Sequence, residues 1–430
     1  MKSCIHIYLS PLLFTCLSAD SQKISKNDKI VLTNLQTHVR ALSADTAGGR
    51  FMGSAGEKTT GDYVISELSK TGARPKGDNN GWLQKYTLDE GRQIADNALV
   101  TIDEHPLVAG KEWFPLALCP AMEVTGSPAV ALQERGVPWF QDIKEWLEPG
   151  AGADNPHPDL IGTIRAHAAA CQKKGATALI LYNSAGRTPD KLLFDPKDRP
   201  EPAAIPVVYI TRDAKRKYLK DESASVDIHI RIAYTEKRQS GSNVVAFMDN
   251  GAPTTVVIGS RYDNSSGLAG MIELARMLGA SRLKGNNYLL VVFSGSRSSW
   301  PGSEFYAGRP VVDLKKVSYM LELDRLGAFN DTTRALYIGG ISTSPAWPAI
   351  RGTTHEKKGF SFQYDSSAAR PGDQTAFYRQ QIPVLCVSTK PGAAEVPNDP
   401  VNYDGELQVV KFIYDMIAGA DTRGRLPFTP

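Results

Sequence analysis

The residues best placed for chemistry follow apolar stretches in the second half of this sequence. Gly259-Ser260-Arg261-Tyr262-Asp263 follows Thr254–Ile258, Ser296-Arg297 follows the run ending at Phe293, and Asp324 closes Val317–Leu323. Asp373-Gln374 and Glu395 lie on either side of Ile382–Val387. Carboxylates are oxygen donors for a divalent ion or acceptors for an ammonium group, and arginines pair with carboxylates, often in a bidentate manner. Asp263, Asp324, Asp373 and Glu395 are the acidic donors on offer, while Arg261 and Arg297 bring positive charge to the same set. A guanidinium has no lone pair to give a metal. In the plainer reading Asp263 or a neighbouring Ser caps a helix, Asp324 satisfies backbone amides, and the pocket binds nothing.

Other constellations are weaker. His38, His105, His157, His229 and His355 are scattered, with no His-x-x-x-His or Glu-x-x-His spacing. His167 and Cys171 lie four apart and share a helix face, which reads as packing before it reads as half a metal site. There is no Gly-x-Ser-x-Gly elbow and no phosphate-binding glycine loop. A serine hydrolase needs a histidine partner that no spacing here identifies.

The elements that must position these residues change character along the chain. Leu32 to Gly72 has helical spacing, broken by Gly48-Gly49-Arg50-Phe51-Met52-Gly53. From about Ala98 to Arg238 the sequence reads as short strands with one Ala-rich helix, Leu160–Lys174. After Gly241 strands and helices alternate: strand Thr254–Ile258, helix Leu268–Leu278, strand Tyr288–Phe293, a helix near Ser303–Ala307, strand Val317–Leu323, strand Ile382–Val387 and a final helix, Glu406–Ile417. That rhythm predicts a doubly wound α/β fold with a mixed, mainly parallel sheet, in which functional residues sit at the carboxyl ends of strands.

Composition sets the frame. With 430 residues, 42% hydrophobic and 22% charged, the chain can bury a sizeable core and is not disordered. Forty-nine basic against 46 acidic residues leave a formal charge of +3, which argues against a nucleic-acid partner. Lys2 followed by the apolar run Ile5–Ala19 reads as a secretory signal, too short to span a membrane, with Cys16 a loose candidate for lipid attachment. Export to a periplasmic or extracellular space is the expectation, leaving Cys119, Cys171 and Cys386 with at most one disulfide.

Five stretches in this order resemble a known family: the segment around Gly49-Arg50 and Gly53-Ser54, Val257 to Leu278, Val291 to Tyr306, Leu321 to Gly327, and Gly372 to Ile417. They are similar to the secreted co-catalytic zinc aminopeptidases, a metallopeptidase family that also includes glutamate carboxypeptidase, glutaminyl cyclases and the ectodomain of the transferrin receptor. Gly175-Ala176-Thr177-Ala178-Leu179-Ile180 with Ile205-Pro206-Val207-Val208 resembles the protease-associated domain that several members insert. The resemblance implies a signal at 1–19, a peptidase-like domain from 20–95 and 240–430, and a β-rich protease-associated-like insert over 96–239.

The same resemblance implies two zinc ions held by a His, a bridging Asp, a Glu, a second Asp and a distal His, and most of that set is altered. Arg261 stands where the first His belongs, and the loop that normally separates this motif from Asp-Asn-x-Ser-Gly is missing, so that Asp263 belongs to both. Ser296 and Arg297 replace the Glu-Glu pair of base and ligand, Glu395 replaces the distal His, and Asp373-Gln374 replaces Asp-His. Asp324 keeps the second Asp. The expectation is a pocket without catalytic residues, metal or cofactor, in which arginines paired with Asp263 and Asp324 take the place of zinc. The function that follows is a secreted pseudoenzyme binding a peptide, amino acid or protein. The alternative is an active zinc aminopeptidase with a rearranged or single-metal site.

Overall fold

The computed structural model describes residues 25–44, 49–147, 159–185, 194–295, 299–353, 359–365, 371–391 and 400–430. Expectations about the signal, Cys16, Ser296, Arg297 and Glu395 lie outside the described residues. The chain divides into two compact units, residues 1–86 with 241–430, and residues 87–240. No described helix is long and apolar enough to cross a membrane.

The first unit is mixed α/β around a mainly parallel central sheet. Two helices open it: α1 (Lys26–Ser43), capped by the Ser25 hydroxyl on Asp28 N–H, and α2 (Ala55–Ser69), capped by Ser54 on Glu57 N–H. Strands β1 (Tyr234–Met248) and β2 (Thr254–Arg261) lead to helix α3 (Ser265–Gly279), then come β3 (Asn286–Phe293), helix α4 (Pro301–Gly308) and β4 (Val317–Asp324). Strands β5 (Ala335–Gly339) and β6 (Ser361–Asp365), helix α5 (Gln374–Tyr378), β7 (Val384–Ser388) and helix α6 (Tyr403–Ala420) complete it. These strands lie in the order β1-β3-β2-β4-β7-β5-β6, and β3, β2, β4 and β7 are mutually parallel. β1 and β5 pair antiparallel with this core, so the sheet is mixed.

Strand alternation sends neighbouring side chains to opposite faces. Val256, Ile258, Leu290, Val292, Leu321 and Leu323 pack with the apolar sides of α1, α3 and α6 on one face. Val257, Leu289, Val291, Phe293 and Met320 pack with Tyr306 and Ala307 of α4 and Ala376 and Phe377 of α5 on the other. Helix α3 is buried nearly all round, and its single buried charge, Glu273, is held by Arg276 (2.9 and 3.0 Å) and Asn34 (2.9 Å). Burial works to raise its carboxyl, but His38, Arg276 and Asn34 together hold it below the ordinary range.

The second unit carries two four-stranded sheets and the helix Leu160–Lys174, which ends at Gly175 in the left-handed conformation (φ 111°). Cys171 is buried in its apolar core, and the His167 ring stands edge-on to Trp146 at 5.1 Å. Cys119 and Cys171 are buried free thiols.

Candidate functional site

The register of three parallel strands builds the site. Gly259 on β2 lies beside Glu322 on β4, which lies beside Cys386 on β7, and two residues further along Asp324 lies beside Ser388. By the same alternation Gly259 and Arg261 point to the α4 and α5 face, as do Glu322 and Asp324. Gly259 makes room there: a Cβ would sit 2.7 Å from Phe293, 2.8 Å from Met320 and 3.5 Å from the Glu322 carboxylate.

Arg261 engages two carboxylates through different nitrogens, Nη2 at 3.0 Å from Asp324 Oδ1 and Nε at 3.4 Å from Asp263 Oδ1. It therefore bridges two acids and does not fork onto one, a departure from the expected bidentate pairing. The cause is positional: Asp263 follows the β2 end while Asp324 closes the neighbouring strand. Burial works against the guanidinium charge, but Asp324, Asp263, Glu322 and Asp373 together outweigh it and hold Arg261 above its ordinary value.

Asn264, and neither Asp263 nor a serine, caps α3. Its Oδ1 accepts from Gly267 N–H (2.9 Å) and Arg325 N–H (3.2 Å), while Nδ2 donates to Leu323 O (2.8 Å). One side chain thus ties the start of α3 to the end of β4. Arg50 braces the same loop, donating from Nη1 to Ser265 Oγ (2.8 Å) and from Nη2 to the Asp263 carbonyl (3.3 Å).

Three participants are not visible in the sequence. Glu322 is only 2% exposed, and its Oε2 has no hydrogen-bond partner. Arg325 is 3% exposed, adopts a left-handed backbone (φ 46°), and places Nε 3.7 Å from Asp324 Oδ1. Ser303 on α4 lowers the pKa of Asp373, although its hydroxyl donates to Trp300 O at 3.1 Å. Alternation along β4 with Asp324 is the signal that could have found Glu322; for Arg325 a basic residue next to a strand-end aspartate is too common to stand out.

Asp373 itself is fully buried at the head of α5, does not cap that helix, and has no hydrogen-bond partner on either carboxylate oxygen. Burial pushes its carboxyl up to about 7, partly opposed by Ser303 and Arg261. Burial also raises Glu322 well above the carboxylate range, with Asp373 adding to the effect. Gln374 is buried beside it on α5. Arg261, Asp263, Asp324 and Asp373, with Glu322, form one electrostatic cluster.

Residues 233–404, which contain this cluster and run from the start of β1 into α6, match the model of Peptidase family M28. Solved structures similar to the chain include a peptidase M28 precursor from Shewanella amazonensis, at 18% identity over 94% of this chain and 98% of that one, TM-score 0.45. Also similar are a zinc aminopeptidase from Bacillus subtilis (17% identity, 94% and 97% covered, TM-score 0.46) and an aminopeptidase from Aneurinibacillus sp. strain AM-1 (16%, 93% and 94%, TM-score 0.47). No curated protein matches the chain.

The M28 resemblance implies zinc, and the described residues do not fit it. Among them no three His, Cys, Asp or Glu side chains form a group able to hold a metal ion. The Asp324 oxygen that a metal would need takes the Arg261 guanidinium, and that guanidinium has no electron pair to share.

Proposed function

We propose that this chain is an M28 pseudoenzyme, a peptidase fold that binds a peptide, a free amino acid or a protein partner and does not hydrolyse it. The observation that carries this reading is the Arg261 bridge from Asp324 to Asp263, which sets a fixed positive charge among the acids. Two guanidinium groups, Arg261 and Arg325, stand beside the acids Asp324 and Asp263, and burial makes Asp373 and Glu322 easier to protonate. Mixed charge of this kind suits a ligand that has both an ammonium and a carboxylate. The protease-associated-like character of 96–239 and export guided by the segment 1–19 belong to the same proposal and put the ligand outside the cytoplasm.

A second reading is an active hydrolase with a rearranged or single-metal site. The M28 match favours it, as do the unpartnered carboxylate oxygens of Glu322 and Asp373. The two readings separate in an assay of aminoacyl and peptidyl substrates with added zinc, run beside thermal shift with free amino acids and short peptides. Binding shifts without turnover support the pseudoenzyme; turnover that tracks zinc overturns it.

A further inference from the structure

We infer that Arg325 is the carboxylate-binding residue of this site and that the ligand it selects is a free α-amino acid, bound as its zwitterion. The inference rests on the pseudoenzyme reading and deepens it by choosing one ligand class. Arg325 is 3% exposed, and its Nε and Nη1 have no hydrogen-bond acceptor. Nε stands 3.7 Å from Asp324 Oδ1, beyond hydrogen-bond reach, and that oxygen already accepts from Arg261 Nη2 at 3.0 Å. A buried guanidinium without acceptors is costly, so its presence here points to an acceptor that a ligand supplies. The side chain is also held in place from its backbone. Arg325 N–H donates to Asn264 Oδ1 (3.2 Å), its carbonyl accepts from Thr389 N–H (3.3 Å) and from the Thr389 hydroxyl, and its φ of 46° is one that a non-glycine residue keeps only where its surroundings fix it.

Charge decides which ligand fits. Arg261 pairs with Asp324 and Asp263, and Arg325 is the second guanidinium, so two positive charges face two ion-paired acids. Burial favours the neutral forms of Glu322 and Asp373, which leaves the cluster close to neutral. A ligand bringing only an anion or only a cation would add an unbalanced charge to a poorly hydrated site, whereas a zwitterion adds none. Its carboxylate takes the Arg325 donors, and its ammonium faces Asp324 and Asp263, the acids that solvent reaches, at 13% and 22% exposure. The short separation of Arg325 from Asp324, 3.7 Å, suits two charges borne by one α-carbon and not the distant termini of a peptide.

The test is calorimetric titration of the full-length protein with the standard free L-amino acids and, for whichever binds, with its C-terminal amide and its N-acetyl derivative. Each derivative lacks one charge and should bind about 10- to 100-fold more weakly, as the loss of one charged hydrogen bond implies. Arg325→Gln should weaken the free amino acid by a similar factor while leaving its amide unchanged, and Arg325→Lys should restore part of the difference. The comparison of the three ligands on wild type needs no variant, so it decides the matter even if Arg325→Gln does not fold. The inference falls if the amide binds wild type as tightly as the free amino acid, if Arg325→Gln keeps the preference, or if only C-terminally blocked peptides or no probe binds. Zinc-dependent peptide hydrolysis by wild type overturns the pseudoenzyme reading itself, whereas an inert wild type that fails any of these comparisons overturns this inference alone.

Discussion

Arg261 Nη2 lies 3.0 Å from Asp324 Oδ1, and this contact joins the carboxyl ends of two neighbouring parallel strands. Both side chains are mostly buried, at 20% and 13% exposure, so removing one strands the other in a poorly hydrated site. Asp324→Ala should lower unfolding free energy by roughly 2–4 kcal/mol, somewhat less than breaking a fully buried pair costs. Asp324→Asn, which keeps an acceptor for Arg261, should lose about half as much. Urea denaturation at neutral pH measures both; equal stability of all three proteins would show that the pair contributes nothing.

Stability should fall with rising pH across the neutral range. Asp373 is raised to about 7 from the ordinary aspartate value of 3.8, so stability from its neutral form is fully present below about pH 4 and lost as pH rises through about 7. Glu322 is displaced in the same direction. The groups that act on Asp373 are Ser303, Arg261, Asp263 and Asp324, and Glu322 and Tyr86 feel its charge in turn. Asp373→Asn cannot ionise and should flatten the decline, gaining on the order of a few kcal/mol above neutrality relative to wild type, since a tenfold change in proton affinity corresponds to about 1.4 kcal/mol. Denaturant midpoints between acid and mildly alkaline pH test this, and a wild-type profile as flat as that of the variant would refute it.

Asn264→Ala should destabilise by about 2–3 kcal/mol, more than an ordinary helix cap, since a cap alone is worth about 1 kcal/mol and this side chain also bonds Leu323 O and Arg325 N. Asn264→Asp keeps the cap acceptor but loses the donor to Leu323 O, and should fall between wild type and Asn264→Ala. Equilibrium unfolding distinguishes them.

Gly259→Ala should cost roughly 1–3 kcal/mol by overpacking, because its methyl would sit 2.7 Å from Phe293 and 2.8 Å from Met320. The Glu322 carboxylate, 3.5 Å from that methyl, would have to move. A melting temperature unchanged from wild type would mean that the Phe293 ring and the Met320 methyl yield without cost.

Much of this fold is legible in the chain. The apolar runs Tyr288–Phe293 in β3 and Val256–Ile258 in β2, short and rich in β-branched residues, read as buried strands, and the spacing from Leu268 to Leu278 reads as a helix. β5 and β6 escape notice, because Ala335–Gly339 and Ser361–Asp365 are short and half-exposed and the second is largely polar, as strands near a sheet edge are. At the site, Arg261, Asp263, Asp324 and Asp373 are marked by their place after strands or before a helix. Glu322 and Arg325 stay hidden because a charge inside or just beyond an apolar strand becomes visible as a partner only once its neighbours across the sheet are known. Asn264 is easily passed over beside Asp263, since each residue type caps helices equally well and only the backbone decides which one does.

The most direct test of the central claim, that a fixed guanidinium has replaced a catalytic metal, is the zinc content of full-length protein purified without chelator and then equilibrated with zinc, with peptide hydrolysis followed in the same samples. An Arg261 bridge across Asp324 and Asp263 predicts well under one equivalent of tightly held zinc and no zinc-dependent turnover. Stoichiometric zinc accompanied by turnover would contradict it and show that other residues have rebuilt the centre.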